Sequence, residues 1–457
     1  SYGLTRLLWA LPLLLLILTG CASAFAPVQE SAMPPLVNGA GWAIVVRSDG
    51  PLWLGPEWWR DQGVDPLTLV SDVDVLISHH DERIPHLVVD GPKGPGVFFL
   101  GRTAPVSETT FSMVGPAGGY TLELASPAHD SQLPGDPPSS VSSVSDEACQ
   151  TTTVAQSSIG PDLVFRSTAP VDDVWLWEAL RPGDSLTVTA ALTDIVPSTS
   201  VTVTISVWGQ SSMPANPDHH LRMAWNGAVV GDRFWDGNAP EVWEMTVPGD
   251  SSERARLGLT APGGTDAPVE LTWLDQIQFD WHQQLRLSSD RWRSWFAGAE
   301  TAACFTGSVA DAEDGYVAVL QAPTEAARFV APQVDRETGQ VRVTQATGEV
   351  GWIGLPWMAP PPDLVRPRER VDRDRLLSAD YLIVASRDFH RSVEPLAEAR
   401  RANGLTVAVV TPQSVYDSYG AGIPSAESIQ ALVVDLATNG NLDALLLVGD
   451  ASASPAG

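Results

Sequence analysis

Tyr381-Leu382-Ile383-Val384-Ala385, the run Leu405 to Val410, and Ala444-Leu445-Leu446-Leu447-Val448 are three short apolar stretches separated by two segments of helical periodicity. Apolar runs of this length without polar alternation are what strands buried on both faces leave in a sequence. Between the first two, Phe389, Val393, Leu396 and Ala397 recur at helical spacing, with Asp388 as candidate N-cap and Asn403-Gly404 as the stop. Between the last two, Pro424-Ser425 opens a helix with Glu427 in its positive first turn. Ile429, Leu432, Val433 and Leu436 form its apolar stripe, and Asn439-Gly440 closes it. Strands alternating with amphipathic helices predict parallel βαβ units, with working groups at the carboxyl ends of the strands. Asp450 lies at such an end. The turn Ser386-Arg387-Asp388 carries no glycine-rich loop to approach a pyrophosphate. A generic doubly wound domain is the plainer alternative.

The run Ala379-Asp380-Tyr381-Leu382-Ile383-Val384 resembles the opening of the gingipain-type cysteine peptidase domain. So do Pro395-Leu396-Ala397, Asn403-Gly404-Leu405-Thr406-Val407, Val415-Tyr416-Asp417, Gly422-Ile423-Pro424 and Leu446-Leu447-Val448-Gly449-Asp450, in the family's order and at about its spacing. The resemblance covers residues 379–457 and implies the first half of a caspase-like α/β parallel-sheet domain. It also implies a His–Cys dyad at the ends of later strands. No histidine follows His390 and no cysteine follows Cys304, so no catalytic residue is assigned, and the segment alone is expected to be inactive. The family further implies calcium, with Asp450 as a candidate oxygen ligand. A full shell takes about 6–8 oxygens, and Asp450 capping a turn is the alternative.

The chain starts at Ser1 and breaks off within this pattern, so it reads as a fragment of a multidomain protein. A net charge of −28 argues against a nucleic-acid partner and suits an extracellular surface. Arg6 precedes an apolar run from Leu7 to Leu18, so residues 1–26 read as a signal peptide or lipoprotein signal. Leu18-Thr19-Gly20-Cys21 looks like a bacterial lipobox, which would make Cys21 a lipidation site and attach the protein to a membrane. Cleavage after Ala24 or Ala26, or retention as an uncleaved anchor, are the rival readings. Of the three cysteines, Cys149 and Cys304 remain to pair, although they fall in different segments.

The rest of the chain reads as β-rich modules. Residues 36–125 hold the strand-like Trp42-Ala43-Ile44-Val45-Val46 and Val97-Phe98-Phe99-Leu100, an alternation from Val73 to Ser78, and a short helix from Trp53 to Gly63. With Asp81-Glu82-Arg83-Ile84-Pro85, this order resembles the N-terminal module of gingipain-like proteins. Residues 126–158, rich in Ser and Pro and without aromatic residues, read as a linker. Residues 160–285 alternate with period two at Ser185 to Ala190 and Val201 to Trp208, and carry the hairpin turn Asn226-Gly227, as a β-sandwich does. Trp175-Leu176-Trp177-Glu178 and Leu274-Asp275-Gln276-Ile277 resemble the jelly-roll-like module that often precedes gingipain-type domains. Residues 286–370 read as a β-rich connecting region ending in a Pro-rich linker. There Arg366, Arg368 and Arg370 form a basic patch, read as solvated linker with a trypsin-like processing site as the sharper alternative.

Two further readings concern ligands. Ten of the 17 tryptophans fall between Trp175 and Trp295. They stack on a glycan or pack the sandwich core, where each large aromatic buries about 150–250 Å². His219 and His220 are metal ligands or strand residues, and no neighbouring Cys or carboxylate shows ligand spacing. The functions that emerge are the N-terminal part of an exported cysteine endopeptidase acting on protein or peptide substrates, and a cell-surface binding protein with an inactive peptidase-like domain.

Overall fold

The computed structural model describes residues 36–79, 82–103, 118–125, 149–161, 163–170, 175–249, 254–299, 302–307, 315–322, 325–335 and 340–449. Cys21 and Asp450 lie outside them. The chain is mostly β-structure in many sheets, followed by one parallel sheet with helices. Among the described residues no helix is long and apolar enough to cross a membrane.

The first module pairs Leu36–Val46 with Gly118–Ala125, and that strand with Asp74–His79. A second sheet of Gly50–Leu54, Gly94–Gly101 and His86–Gly91 packs against it. Ile44, Leu52, Trp59, Phe99 and Leu122 fill the space between, and Trp42, Trp58 and Trp59 meet edge to face. The short helix forms at Pro56–Asp61, with proline at its start where the missing N–H costs nothing. One strand of this module comes from far away in the chain. Leu364–Pro367 pairs antiparallel with Leu36–Val46, Trp42 opposite Pro367 and Ile44 opposite Val365. The last residues of the stretch read as a Pro-rich linker are therefore an edge strand. Pro367 sits at the strand's end, where a missing donor is tolerated, and Val365 packs onto the core.

Two sheets then face each other around one core. Glu178–Leu180, Thr272–Gln284, Ser200–Gly209 and Ala239–Pro248 form one; Ser185–Ala191, Arg254–Thr260, His219–Trp225 and Ala228–Trp235 form the other. Val203, Ile205, Leu221, Met223, Leu257 and Ile277 are buried between them. Thr152–Ile159 adds to the first sheet, Ile159 opposite Ile277 and Thr152 opposite Gln284. This corrects the linker reading of 126–158 for its last residues. A strand at a sheet edge gains a full ladder of backbone bonds without large side chains, and Ala155 and Ile159 suffice to touch the core.

Residues from Leu285 to Leu355 build a core of their own rather than merely connecting. Arg293–Phe296, Val350–Gly354, Val317–Gln321 and Arg328–Val330 make one sheet. Gln333–Asp335, Gln340–Thr344, Ala302–Thr306 and Cys149–Gln150 make another. Trp295, Phe305, Leu320, Val341 and Ile353 are buried between the two. Cys149 and Cys304 are joined by a disulfide across 155 residues of sequence, with Cα atoms 5.5 Å apart.

The last unit is a parallel sheet in the order Val407–Val410, Tyr381–Ala385, Ala444–Val448. The central strand is covered on both faces. Leu382 and Val384 pack with Val415, Leu432 and Leu436, and Ile383 and Ala385 with Val393 and Ala397. The helix Ala426–Asn439 is capped by Ser425, whose side chain accepts from the Ser428 amide. Asp388 does not cap: Arg387–Phe389 forms a 3₁₀ turn leading into the helix His390–Ala402. Two helices that apolar periodicity does not reveal are Arg373–Leu377, capped by Asp372, and Pro412–Tyr419, capped by Thr411.

Candidate functional site

In an open parallel sheet the chemistry sits beyond the carboxyl ends of the strands. Here those ends are Ala385, Val410 and Val448. One side chain ties the first two together. Glu369 accepts from Arg387 Nη2 at 2.6 Å, in the turn after the central strand, and from Thr411 Oγ1 at 3.1 Å, directly after Val410. His390 closes the same turn, its Nε2 lying 3.1 Å from the Ala385 carbonyl oxygen.

Glu369 belongs to a strap of alternating charge, Arg366 to Arg370, which runs between the first module and the parallel sheet. Asp417 on the helix Pro412–Tyr419 is fully buried and takes two bonds from Arg366, at 2.7 and 2.6 Å. It also accepts from the Glu369 amide at 2.7 Å and from Gln413 Nε2 at 3.0 Å. Arg368 donates to Glu123 of the first module at 2.7 Å and to the Asp417 carbonyl oxygen at 2.5 Å. Arg370 also donates to Glu123. The solvated-linker reading of these arginines is thus overturned. Arg366 lies in the strand Leu364–Pro367 and Arg368 and Arg370 follow it, and each finds a carboxylate. A trypsin-like cut would need this segment released from its sheet and its ion pairs.

Beside the strap lies a cleft of about 550 Å³ between the first module and the helices, lined by Ser78, Thr121, Arg370, Arg373, Tyr419 and Asp435 among others. Arg373 bonds Asp435 through Nε and Nη2 at 2.8 and 2.6 Å, and Tyr419 donates to Asp435 at 2.7 Å. The Arg373 guanidinium, with Tyr419 and Asn439, holds the Asp435 carboxyl well below the usual carboxylate range. Burial, aided by Asp435, pushes the Tyr419 phenol up to about 12.

Both described cysteines are engaged in the disulfide, so no described side chain offers a thiolate. Among the described residues no three His, Cys, Asp or Glu side chains converge as a metal site. His219 and His220 sit on the strand His219–Trp225. His219 stacks on Trp235 and lies 3.2 Å from Thr272 Oγ1, while His220 contacts Asp232 at 2.8 Å. Of the ten clustered tryptophans, Trp208, Trp225, Trp235, Trp273, Trp281 and Trp295 are buried and the other four are half-buried. All but Trp175 pack into cores, and Trp175 meets Phe165 with ring centroids 5.3 Å apart.

Comparison with known proteins agrees with this architecture. The model of peptidase family C25, the gingipain family, matches residues 374–456, so the parallel-sheet block is a segment of that family's peptidase domain. The crystal structure of dimeric latent PorU from Porphyromonas gingivalis is similar over 87% of this chain, with a TM-score of 0.63 and 15% identity, a likeness of fold. The chain covers 39% of PorU's length. A CBM36-1 domain of a multidomain xylanase from the hindgut metagenome of Trinervitermes trinervoides is 14% identical over 28% of this chain and 95% of its own, at a TM-score of 0.19 that carries no argument. No curated protein matches the chain.

Proposed function

We propose that this chain is the N-terminal part of an exported, gingipain-like cysteine endopeptidase of a bacterial cell surface. On this reading the parallel sheet is the first half of a caspase-like domain, and the His–Cys dyad is carried by residues beyond Gly457. The observation that carries the proposal is the family match over residues 374–456, which falls on a sheet whose strand ends are already braced by Glu369. In such an enzyme the histidine takes the thiol proton, the thiolate attacks the scissile carbonyl, and backbone amides hold the oxyanion. The residues of this chain hold the first two strand-end turns in place. The disulfide supports export, because such bonds persist in oxidising compartments. Cys21 would then be the acylated residue, and Asp450 one oxygen ligand of a calcium ion completed by residues beyond Gly457.

The test compares residues 1–457 with the full-length gene product on a mixed peptide substrate, with and without a thiol alkylator. The expected result is alkylation-sensitive hydrolysis by the full-length protein and none by the shorter chain. A full-length protein that folds but hydrolyses nothing would instead make this a cell-surface binding protein with an inactive peptidase-like domain.

A further inference from the structure

The chain is strongly acidic, at −28 overall, yet the cleft beside the strap is lined by as many arginines as carboxylates. Arg368, Arg370 and Arg373 line it together with Glu123, Asp417 and Asp435. The carboxylates are heavily engaged. Asp417 and Asp435 each accept four hydrogen bonds, and Glu123 lies between two guanidiniums. Two of the guanidiniums are not. A guanidinium carries five N–H donors; Arg370 commits only Nη2, and Arg373 only Nε and Nη2, to described partners. Ser418 uses its hydroxyl oxygen to accept from the Val371 amide, which leaves its O–H as a further donor on the cleft wall. The Arg370 and Arg373 side chains are 44% and 49% exposed, so a solute can reach them.

A cleft whose arginines keep spare donors while its carboxylates are engaged selects a ligand that brings acceptors and negative charge. We propose that it is an oxyanion-binding site, with Arg370 and Arg373 as the forks that grip a carboxylate or phosphate group. A planar guanidinium matches two oxygens of either group, and a cleft of about 550 Å³ has room for more than a bare ion. Ser78, Thr121 and Glu123 of its wall belong to the first module, and Tyr419 and Asp435 to the peptidase-family block. A bound anion therefore also strengthens the contact between the two. This inference stands apart from the proposed peptidase activity.

The test is calorimetric titration of the 457-residue chain at low ionic strength with inorganic phosphate, with N-acetyl-dialanine, and with the amide of that dipeptide. Saturable binding of phosphate alone assigns a phosphate-bearing ligand, and binding of the free acid alone assigns a peptide carboxyl terminus. Either supports the site, provided that the amide is silent. Failure of both anions to bind at millimolar concentration, or equal binding of the amide, overturns it. In an R370Q/R373Q double variant the affinity should drop about tenfold or more, as expected when two charge-assisted bonds are lost; unchanged affinity overturns the assignment. Should that variant misfold, the unaltered chain gives the same answer. Arginine modification by phenylglyoxal, mapped by mass spectrometry, should slow several-fold at Arg370 and Arg373 when the anion is bound and not at Arg401. Equal protection at all three sites overturns the proposal.

Discussion

Asp417 has no access to water, and Arg366, which grips it with two nitrogens, is itself mostly buried. A buried ion pair gains little over an apolar pair of the same shape, but removing one partner strands the other charge. Asp417→Ala should therefore destabilise the chain by about 3–5 kcal/mol, and Asp417→Asn by less, because the amide oxygen still accepts. Urea denaturation of both variants measures this, and a loss below about 1 kcal/mol for the alanine variant would mean that the pair is not formed. At this scale the sequence is only half legible. Arg366, Arg368 and Arg370 stand out, and their period of two is a strand signature that their proline-rich setting obscures. Their partners lie 245 and 51 residues away, at Glu123 and Asp417. Glu123 reads as one more outward residue between Leu122 and Leu124, and nothing local marks it as buried.

The three parallel strands show how unequal neighbours in one sheet can be. Leu382 and Val384 of the central strand are buried, whereas Leu445 and Leu447, opposite them in register on the third strand, are 37% and 57% exposed. That strand also has no partner on its outer edge among the described residues. An apolar edge strand with one bare face templates further pairing. A polypeptide of residues 379–457 alone should accordingly aggregate, and light scattering over a concentration series would show it. A monomer that melts cooperatively would refute this. The strands and the helix Ala426–Asn439 are readable because burial on two faces, helical periodicity and a serine cap all leave local marks. The helix Pro412–Tyr419 escapes such a reading although Thr411-Pro412 carries a cap and a favoured first residue. With only eight residues, it shows too little periodicity to stand out. Thr152–Ile159 escapes it for the opposite reason: its stability comes from the backbone ladder with Thr272–Gln284, which composition does not record.

Across the whole molecule the chain closes on itself twice. Leu364–Pro367 returns to the first module from the far side of the sandwich and the core that follows it. The Cys149–Cys304 bond spans the entire sandwich and pins its entry to the core built around Trp295 and Phe305. Neither closure can be read from spacing, since long-range pairing depends on which surfaces meet rather than on how far apart they are in sequence. The disulfide closes a loop of 155 residues, so in the chain-entropy account it restricts the unfolded state strongly. Its loss should cost about 2–5 kcal/mol. Replacing both cysteines, Cys149→Ser with Cys304→Ser, avoids stranding a single thiol, although the second change puts a hydroxyl at a fully buried position. Reduction of the unaltered chain provides the matching measurement without that hydroxyl. Denaturant midpoints that fall in both cases would establish the bond as a support of the fold and tie full stability to an oxidising compartment. Midpoints identical with and without reductant would mean that the two cysteines are not joined in solution, and would remove the structural support for export.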